Sequence, residues 1–526
     1  MPSLEEKLNQ SDAFLIGVEL VSTRGTTADV SSVKAIKFGS DLAQSDRIDW
    51  VSITDNAGGN PMLAPAALGK PIMDAGKEVI IHLSCKDFNR NSIESQAWQL
   101  ASEGFKNILT LTGDFPEDGI NGMAKPVFDT DSVGLLTMLE SMNKGLTISR
   151  GGSRKTIQLG GTDFYPGAVV TNFKLHENEV IPQYLKLEKK IECGAKFIIN
   201  QIGYDSRKNH ELIAYFKRKN LEHIPLVGNV YVLTGTVAKI FRSQRIPGIV
   251  VSDELLELSL EKAAAPDKGK SFFYELAAKQ IAIYKGLGYK AAYLGGVHTL
   301  KGIERILDIY DSFGENDWKE FAKEILFSRP GEFFLLDEDP ETKLANPDKL
   351  NPVYEASLVD PEATSNVNFS FRLSRFIHDL MFDQGKGLAK IGAKLCKNSA
   401  DPSQGPKLLR TFEHISKSLM FECKDCGDCS LPETAFLCPE SQCAKNQRNG
   451  PCGGTRDGKC EVHDFECIWG KAYDRMKYLG KDSELLAHSP VIQDQRLRGT
   501  SSWANSWLGK DHIAKRLNKK SESSTG

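Results

Sequence analysis

The sequence lacks the features that would mark a membrane protein or a nucleic-acid-binding protein. Its apolar runs, such as Phe14–Val21, fall far short of the ~20 residues that a transmembrane helix needs. Neither sign of charge is in excess, since 66 Lys and Arg stand against 69 Asp and Glu in 526 residues. The amino-terminal segment MPSLEEKLNQSD has no apolar signal core. We therefore expect a cytoplasmic protein that binds neither nucleic acid nor a membrane.

Cysteine is scarce in the first 420 residues, which contain only Cys85, Cys193 and Cys396. The other eight of the 11 cysteines lie between Cys423 and Cys467. A secreted disulfide protein would be short, or would have its cysteines spread along the chain. In a reducing compartment, such a dense group of cysteines more often holds metal.

Apolar, β-rich runs alternate with helical periodicity from the amino terminus to about residue 310. Gly104, Gly194 and Gly288 follow three of the predicted helices, as left-handed caps do. The pattern predicts an α/β fold, a (β/α)8 TIM barrel over residues 1–310. A doubly wound open sheet is the alternative, although no glycine fingerprint follows the first strand. The eight predicted strands are 14–21, 50–54, 78–82, 107–111, 168–170, 197–201, 226–230 and 291–294.

The composition divides the rest of the chain into three parts. For residues 311–405 we expect a helical and loop extension with a linker. The turn-rich segment 337–351 within it is predicted to be a surface loop. Residues 406–490 predict a small cysteine-rich, metal-binding domain that begins with a helix. Residues 491–526 are polar, and their end, KRLNKKSESSTG, predicts a disordered tail.

Polar residues follow most of the predicted strands, at the barrel end where active sites are built. Glu19 lies within an apolar strand, where burial of a charge is costly, and a partly desolvated carboxyl there could act as a general acid. A bland interpretation exists for the others: a buried histidine, a tight turn or an N-cap. Composition therefore predicts a barrel enzyme without its reaction. The residues are Glu19, Thr54, Asp55, His82, Cys85, Thr112, Gly113, Asp114, Gln201 and His298.

Three segments, VSITDNAGG (51–59), HLSCKDFNR (82–90) and NILTLTGDFP (107–116), resemble methylenetetrahydrofolate reductase in order and spacing. The resemblance continues through CGAKFIINQIGYD (193–205) and GGVH (295–298). It implies a barrel that binds FMN or FAD and reduces 5,10-methylenetetrahydrofolate to 5-methyltetrahydrofolate, or runs the reverse oxidation. NAD(P)H or a ferredoxin would be the electron donor.

The same resemblance implies roles for single residues. Glu19 matches the acid that assists opening of the folate ring, and Asp114 matches the aspartate beside flavin and pterin. Both would therefore be catalytic and would contact the substrate. Gln201 matches a folate contact. The flavin contacts would be Thr54, His82, Thr112, Gly113 and Asp114.

The segment FYPGAVVTNFKLHE (164–177) departs from the family pattern. In the family, this segment carries acidic and histidine residues that contact the flavin. The resemblance therefore does not supply contacts for the flavin phosphate and ribose here. Lys174 and His176 are candidate replacements.

The clustered cysteines are numerous enough for two sites of four ligands each. The compact C-x2-C-x2-C start favours 4Fe–4S clusters, because zinc ligands usually come as two separated pairs. The fourth cysteine is not three residues later, as in the bacterial ferredoxin run, and zinc stays the alternative. The segment NGPCGG (449–454) can direct backbone N–H groups at sulfur. The cysteines are Cys423, Cys426, Cys429, Cys438, Cys443, Cys452, Cys460 and Cys467.

NGPCGG and the later CIWGKAYDR (467–475) resemble the C-terminal domain that accompanies methylenetetrahydrofolate reductases of one-carbon-metabolising anaerobes and related bacteria. In acetogens this domain belongs to a partner subunit associated with electron transfer. The fusion implies electrons from a ferredoxin-like redox protein. Two other hypotheses stay open: a non-catalytic electron-transfer or scaffold subunit, and a folate-binding methyl-transfer component with zinc. A homo-oligomer is also compatible with the sequence.

Overall fold

The structure is a computed structural model, and it describes residues 2–10, 12–149, 156–243, 246–361, 367–382 and 387–516. The last part of the predicted disordered tail, from residue 517 onward, lies outside these residues.

Eight parallel strands close into a barrel, in which strands that follow one another in the chain pair with each other. The first strand also pairs with the eighth, with Leu15 opposite Ala291, and this pairing closes the sheet. Its strands are apolar runs buried on both faces, as parallel strands under a layer of helices must be. The predicted TIM barrel is confirmed, and the open-sheet alternative is wrong. The strands are Leu15–Leu20, Trp50–Ile53, Glu78–Ser84, Asn107–Leu111, Tyr165–Val170, Phe197–Asn200, Leu226–Tyr231 and Ala291–Gly295.

Helices surround the barrel, and left-handed glycines end two of the long ones, with φ of 92° at Gly104 and 96° at Gly288. A short helix, Leu4–Gln10, closes the amino-terminal end of the barrel by burying Leu4 and Leu8 against the inner core. The opposite end stays available for a site. The surrounding helices are Val30–Ala43, Pro65–Asp74, Arg90–Glu103, Ser132–Asn143, Glu177–Glu192, Ser206–Arg218, Gly235–Arg242, Asp253–Ala263, Lys270–Leu287, Leu300–Asp311 and Trp318–Glu324.

The segment predicted as a surface loop, 337–351, instead forms most of an antiparallel hairpin of Leu336–Glu338 with Ala345–Leu350. Residues 339–344 form the turn between the two short strands, and their turn-rich sequence led to the prediction of a loop. The hairpin packs on the helix Ser206–Arg218. Two smaller hairpins pair Asp118–Gly119 with Gly122–Met123 and Thr147–Ser149 with Thr156–Gln158.

Helices and irregular segments form the part of the chain that follows the barrel. Residues 491–516, grouped with the polar tail from their composition, are folded onto this part, because Trp503 and Ala504 bury apolar surface there. The helices are Pro352–Val359, Phe369–Met381, Gly387–Lys397, Lys407–Phe421, Pro439–Gln442, Ile468–Tyr478 and Ser502–Trp507.

The cysteine-rich module sits over the carboxyl ends of the barrel strands. Trp469 and Tyr473 belong to the main hydrophobic core together with barrel residues. The Tyr473 hydroxyl donates to Glu177 Oε1 at 2.6 Å, at the start of a barrel helix. Among the described residues, no helix is long and apolar enough to cross a bilayer.

Candidate active site and cysteine centres

A cleft of about 290 Å³ opens at the carboxyl ends of the strands. Of the ten polar residues singled out at the strand ends, two lie elsewhere: Cys85 is fully buried in the barrel core, and His298 is exposed outside the cleft. The other eight line the cleft together: Glu19, Thr54, Asp55, His82, Thr112, Gly113, Asp114 and Gln201.

Glu19 lies near the end of the first strand with its carboxyl in the cleft. A side chain at Gly295 would collide with Glu19 Oε2, so the glycine of the last strand makes room for this carboxyl. Among the described residues no hydrogen bond stabilises its charge, and burial raises the pKa of Glu19 to about 7. The carboxyl is therefore part protonated and part ionised at neutral pH, which suits an acid that gives up and regains a proton.

His82 is held in the barrel wall by Ser52, whose hydroxyl is 2.9 Å from His82 Nε2. Burial lowers the pKa of His82 to about 4, so the imidazole is neutral at physiological pH. Thr54 accepts a hydrogen bond from the Ser22 backbone N–H at 3.0 Å. These neighbours fix both side chains in place.

Asp114 follows the fourth strand, and its Oδ2 accepts a hydrogen bond from the Gly58 backbone N–H at 2.8 Å. This bond joins the loops after the second and fourth strands across the cleft. Gly113 has a φ of 91°, which favours glycine, and its carbonyl accepts from Lys445 Nζ at 2.9 Å. Gln201 lies on the far side, with its Oε1 accepting from the Ile202 backbone N–H at 2.9 Å.

The cysteine-rich module contributes part of the cleft wall, which sequence reasoning missed. Lys445 and Glu461 form a buried ion pair of 2.6 Å, and the Cys452 thiol donates to Glu461 Oε1 at 3.3 Å. The predicted flavin contact Thr112 donates to Gln447 Oε1 at 3.4 Å. Gln447 and Lys445 lie 335 and 332 positions from the barrel residues that they contact, and no local sequence pattern indicates these contacts.

Several buried polar atoms in the cleft have no hydrogen-bond partner among the described residues. They are Thr171 Oγ1, Gln183 Nε2, Glu461 Oε2 and Tyr293 OH. Buried polar groups are nearly always paired in folded proteins, so water or a polar ligand would complete this set.

The cleft offers less to a flavin phosphate. Its two described lysines are engaged: Lys190 Nζ donates to the Val169 carbonyl at 2.5 Å, and Lys445 is paired with Glu461. Lys174, a candidate replacement, donates to the Gly453 and Thr455 carbonyls and so ties the barrel to the module. His176, the other candidate, precedes the helix Glu177–Glu192 and does not line the cleft. No described lysine of the cleft is therefore left to bind a flavin phosphate.

The eight clustered cysteines fall into two sets of four, and each set lines its own cavity. We call them the outer and inner centres. The outer centre comprises Cys423, Cys426, Cys429 and Cys438. The inner centre comprises Cys443, Cys452, Cys460 and Cys467.

Backbone N–H groups point at several of these sulfur atoms. Those of Asp425, Gln447, Gly454 and Val462 donate to Cys423, Cys443, Cys452 and Cys460 at 3.4–3.5 Å. Such bonds stabilise thiolates that bind metal. The NGPCGG segment thus directs a backbone N–H at sulfur, as its glycines suggested.

Among the described residues, no group of three or more His, Cys, Asp or Glu side chains is placed so that it could hold a metal ion. The thiols surround cavities instead.

Comparisons with known proteins agree with this architecture. The family model described as "Methylenetetrahydrofolate reductase" matches residues 5–312, and "Methylene-tetrahydrofolate reductase C terminal" matches residues 405–495. One similar solved structure is an uncharacterized protein from Clostridium thermocellum that binds two copies of 5-methyl-5,6,7,8-tetrahydrofolic acid. It shows 15% identity and a TM-score of 0.41, over 58% of this chain and 97% of that one. Another is 2,3-dimethylmalate lyase, at 13% identity and a TM-score of 0.31, over 56% and 81%. Both likenesses are too remote to carry a conclusion about this chain.

Proposed function

The chain belongs to the methylenetetrahydrofolate reductase family, and we propose that it interconverts 5,10-methylenetetrahydrofolate and 5-methyltetrahydrofolate in the barrel cleft. We propose that the electrons enter or leave through the cysteine-rich module. The observation that carries this proposal is the position of Cys452, which lines both the cleft and the inner centre. A redox group held by this thiol would lie in the wall of the substrate site.

Reduction of the methylene compound adds two protons and two electrons to the folate. Glu19, with its pKa raised to about 7, would give a proton to a nitrogen of the five-membered ring. The ring then opens to an iminium, whose carbon accepts a hydride. In the reverse oxidation, the Glu19 carboxylate takes the proton back.

The other cleft residues position the ligand. His82 is neutral and would offer hydrogen bonds without competing for the proton. Asp114 would orient the pterin from the loop that it fixes to Gly58, and Gln201 would bind the folate from the opposite side. Fixed polar groups of this kind accelerate a reaction mainly through orientation.

A flavin in this cleft would be held at its ring by Thr54, His82, Thr112, Gly113 and Asp114. Its chemistry when bound is to exchange two electrons with the folate and single electrons with a cluster. Gln183 and Glu461 line the cleft, each with one atom that is unpaired among the described residues, and they would hydrogen-bond to the edge of the ring.

The two centres would hold 4Fe–4S clusters, which transfer single electrons. Clusters in these centres would favour a one-electron donor, such as a ferredoxin-like protein, over direct use of NAD(P)H. Zinc in both centres would instead make the module structural and would favour the nicotinamide.

A second candidate is a non-catalytic electron-transfer or scaffold subunit of a reductase complex. It is favoured by the engagement of Lys174, Lys190 and Lys445 with protein groups, which leaves no described lysine of the cleft for a flavin phosphate. Such a subunit would bind folate without turning it over.

Glu19→Gln distinguishes these candidates, because glutamine keeps the shape of the side chain but cannot give up a proton. The assay is dye-linked oxidation of 5-methyltetrahydrofolate under anaerobic conditions, together with calorimetric measurement of folate binding. We expect binding within a few-fold of the wild type and turnover reduced at least 100-fold, within the usual contribution of a general acid. A wild-type protein that binds folate without turnover supports the scaffold, and full turnover by the variant overturns the role of Glu19.

A further inference from the structure

A second, larger cavity of about 780 Å³ lies beside the outer centre, outside the barrel. It is bordered by the helices Phe369–Met381, Lys407–Phe421 and Ser502–Trp507. Its volume is within the ~300–1,000 Å³ of small-molecule sites. We call it the aromatic cavity, since its walls include Phe382, Phe412, Phe421, Phe436 and Trp503.

The aromatic cavity and the outer centre share a wall. Cys429 lines both, as do Lys417 and Leu431. Lys417 Nζ is 3.8 Å from Cys429 Sγ, and it also contacts Ser502 Oγ. A ligand in the cavity would therefore lie against one thiol of the outer centre, as Cys452 lies against the barrel cleft.

The charged side chains in the wall of the aromatic cavity favour an uncharged ligand over one that carries a phosphate. The charged side chains among its described residues are Lys417 and Asp511, and Lys417 is already paired with Glu413 at 3.3 Å. Asp511 would repel a phosphate. Nucleotide carriers such as FMN or NADH would thus lose the hydration of their phosphates without gaining a partner. An uncharged aromatic carrier pays no such penalty.

Polar groups are few, and one of them lacks a partner. The Ser374 side chain is only 7% exposed, and its hydroxyl has no hydrogen bond within the described parts of the chain. Because Ser374 lines the cavity, its hydroxyl is an unpaired donor in the wall that would suit a carbonyl oxygen. His378, also in the wall, is kept neutral because burial lowers its pKa.

We propose that the aromatic cavity binds a quinone, which exchanges electrons with the outer centre at Cys429. The proposal rests on the proposed folate function. Oxidation of 5-methyltetrahydrofolate to the methylene compound releases two electrons and two protons. A quinone that accepts two electrons and two protons becomes the quinol, so the reaction balances without another co-reactant. The reverse reaction would oxidise the quinol.

Titration of the full-length protein with decylubiquinone tests the site directly, with tryptophan fluorescence as the readout because Trp503 lines the cavity. Ser416→Phe would fill the cavity from the helix Lys407–Phe421. Leu419→Phe is the matched control, because Leu419 is 82% exposed on the same helix and outside the cavity. We expect saturable quenching, at least tenfold weaker binding in Ser416→Phe, and binding within twofold of the wild type in Leu419→Phe.

Ser374→Ala provides a second variant that leaves the fold intact, and we expect severalfold weaker quinone binding with an unchanged melting temperature. No quenching by the quinone, or equal affinity in all variants, would overturn the proposal, as would stronger competition by FMN.

Dye-linked folate oxidation in Ser416→Phe separates this site from the proposed function. We expect dye-linked folate oxidation to persist in Ser416→Phe while quinone reduction is lost. Absence of dye-linked turnover in the wild type would contradict the folate function alone and leave the binding result standing.

Discussion

Cys452 and Glu461 stand side by side in the wall between the barrel cleft and the inner centre, with the thiol 3.3 Å from Glu461 Oε1. The same carboxylate is paired with Lys445, which also binds the Gly113 carbonyl of the barrel. A cysteine thiol, a carboxylate, a lysine and a barrel loop thus form one continuous network. Charge at the inner centre and polarity in the cleft are therefore linked through Glu461.

Glu461→Gln should raise the reduction potential of the inner centre. It removes a negative charge next to Cys452, and negative charge disfavours the addition of an electron. Lys445 would keep its positive charge, which acts in the same direction. An anaerobic potentiometric titration followed by electron paramagnetic resonance measures this shift. Asp464→Asn is the control, since Asp464 lies on the same loop but is 86% exposed; equal potentials in both variants would refute the link.

Glu19 should make the protein less stable as the pH rises. Its folded pKa of about 7 exceeds the unfolded value of 4.5, so the folded state binds more protons between these pH values. Stability therefore falls through this window, by up to about 3 kcal/mol at ~1.4 kcal/mol per pH unit. Glu19→Gln should be about as stable as the wild type at pH 4.5 and more stable at pH 8. Urea unfolding at the two pH values measures this, and parallel curves for both proteins would count against the raised pKa.

The outer and inner centres should bind metal independently of each other, because each cavity is lined by its own four cysteines. Cys426→Ser should remove metal from the outer centre, and Cys452→Ser from the inner one. Each variant should lose about half of the iron and acid-labile sulfide. Cys193→Ser, in the barrel, should lose none. Loss of all metal from either single variant would show that the eight cysteines build one shared site.

Lys186 should hold the module on the barrel. Its buried Nζ donates to the Gly450 and Pro451 carbonyls at 3.1 and 3.0 Å and to Gln447 Oε1 at 3.3 Å. Lys186→Met removes all three bonds and leaves the Gly450 and Pro451 carbonyls without this donor, at a cost of about 3 kcal/mol, while Thr112 still donates to Gln447 Oε1. Denaturant unfolding should show this loss. Lys471→Met, on the more exposed surface of the module, should change stability by less than about 0.5 kcal/mol.

The sequence was sufficient to predict the barrel and much of its cleft, because both depend on local patterns. Apolar runs fix the strands, and a polar residue at a strand end, such as Glu19 or Asp114, must lie at one mouth. The hairpin that includes residues 345–350 escaped prediction because its strands are polar on their exposed face. The burial of Trp503 was not predicted for a similar reason, because the surrounding segment is polar.

The module's share of the cleft could not be predicted. Lys445 meets Gly113 across 332 positions, and such contacts depend on how two folded parts pack. The division of the eight cysteines into two centres also depends on the fold, since Cys438 and Cys443 are close in sequence but line different cavities.

Electron transfer between the cleft and the module is tested most directly by adding 5-methyltetrahydrofolate to the oxidised, full-length protein without oxygen. The readout is the absorbance at about 400 nm, where iron–sulfur clusters absorb. Metal and sulfide analysis accompanies the measurement. We predict iron and sulfide in the protein, and rapid loss of this absorbance in the wild type but not in Glu19→Gln. Zinc without iron, or clusters that stay oxidised in the presence of the folate, would contradict electron transfer between the cleft and the module.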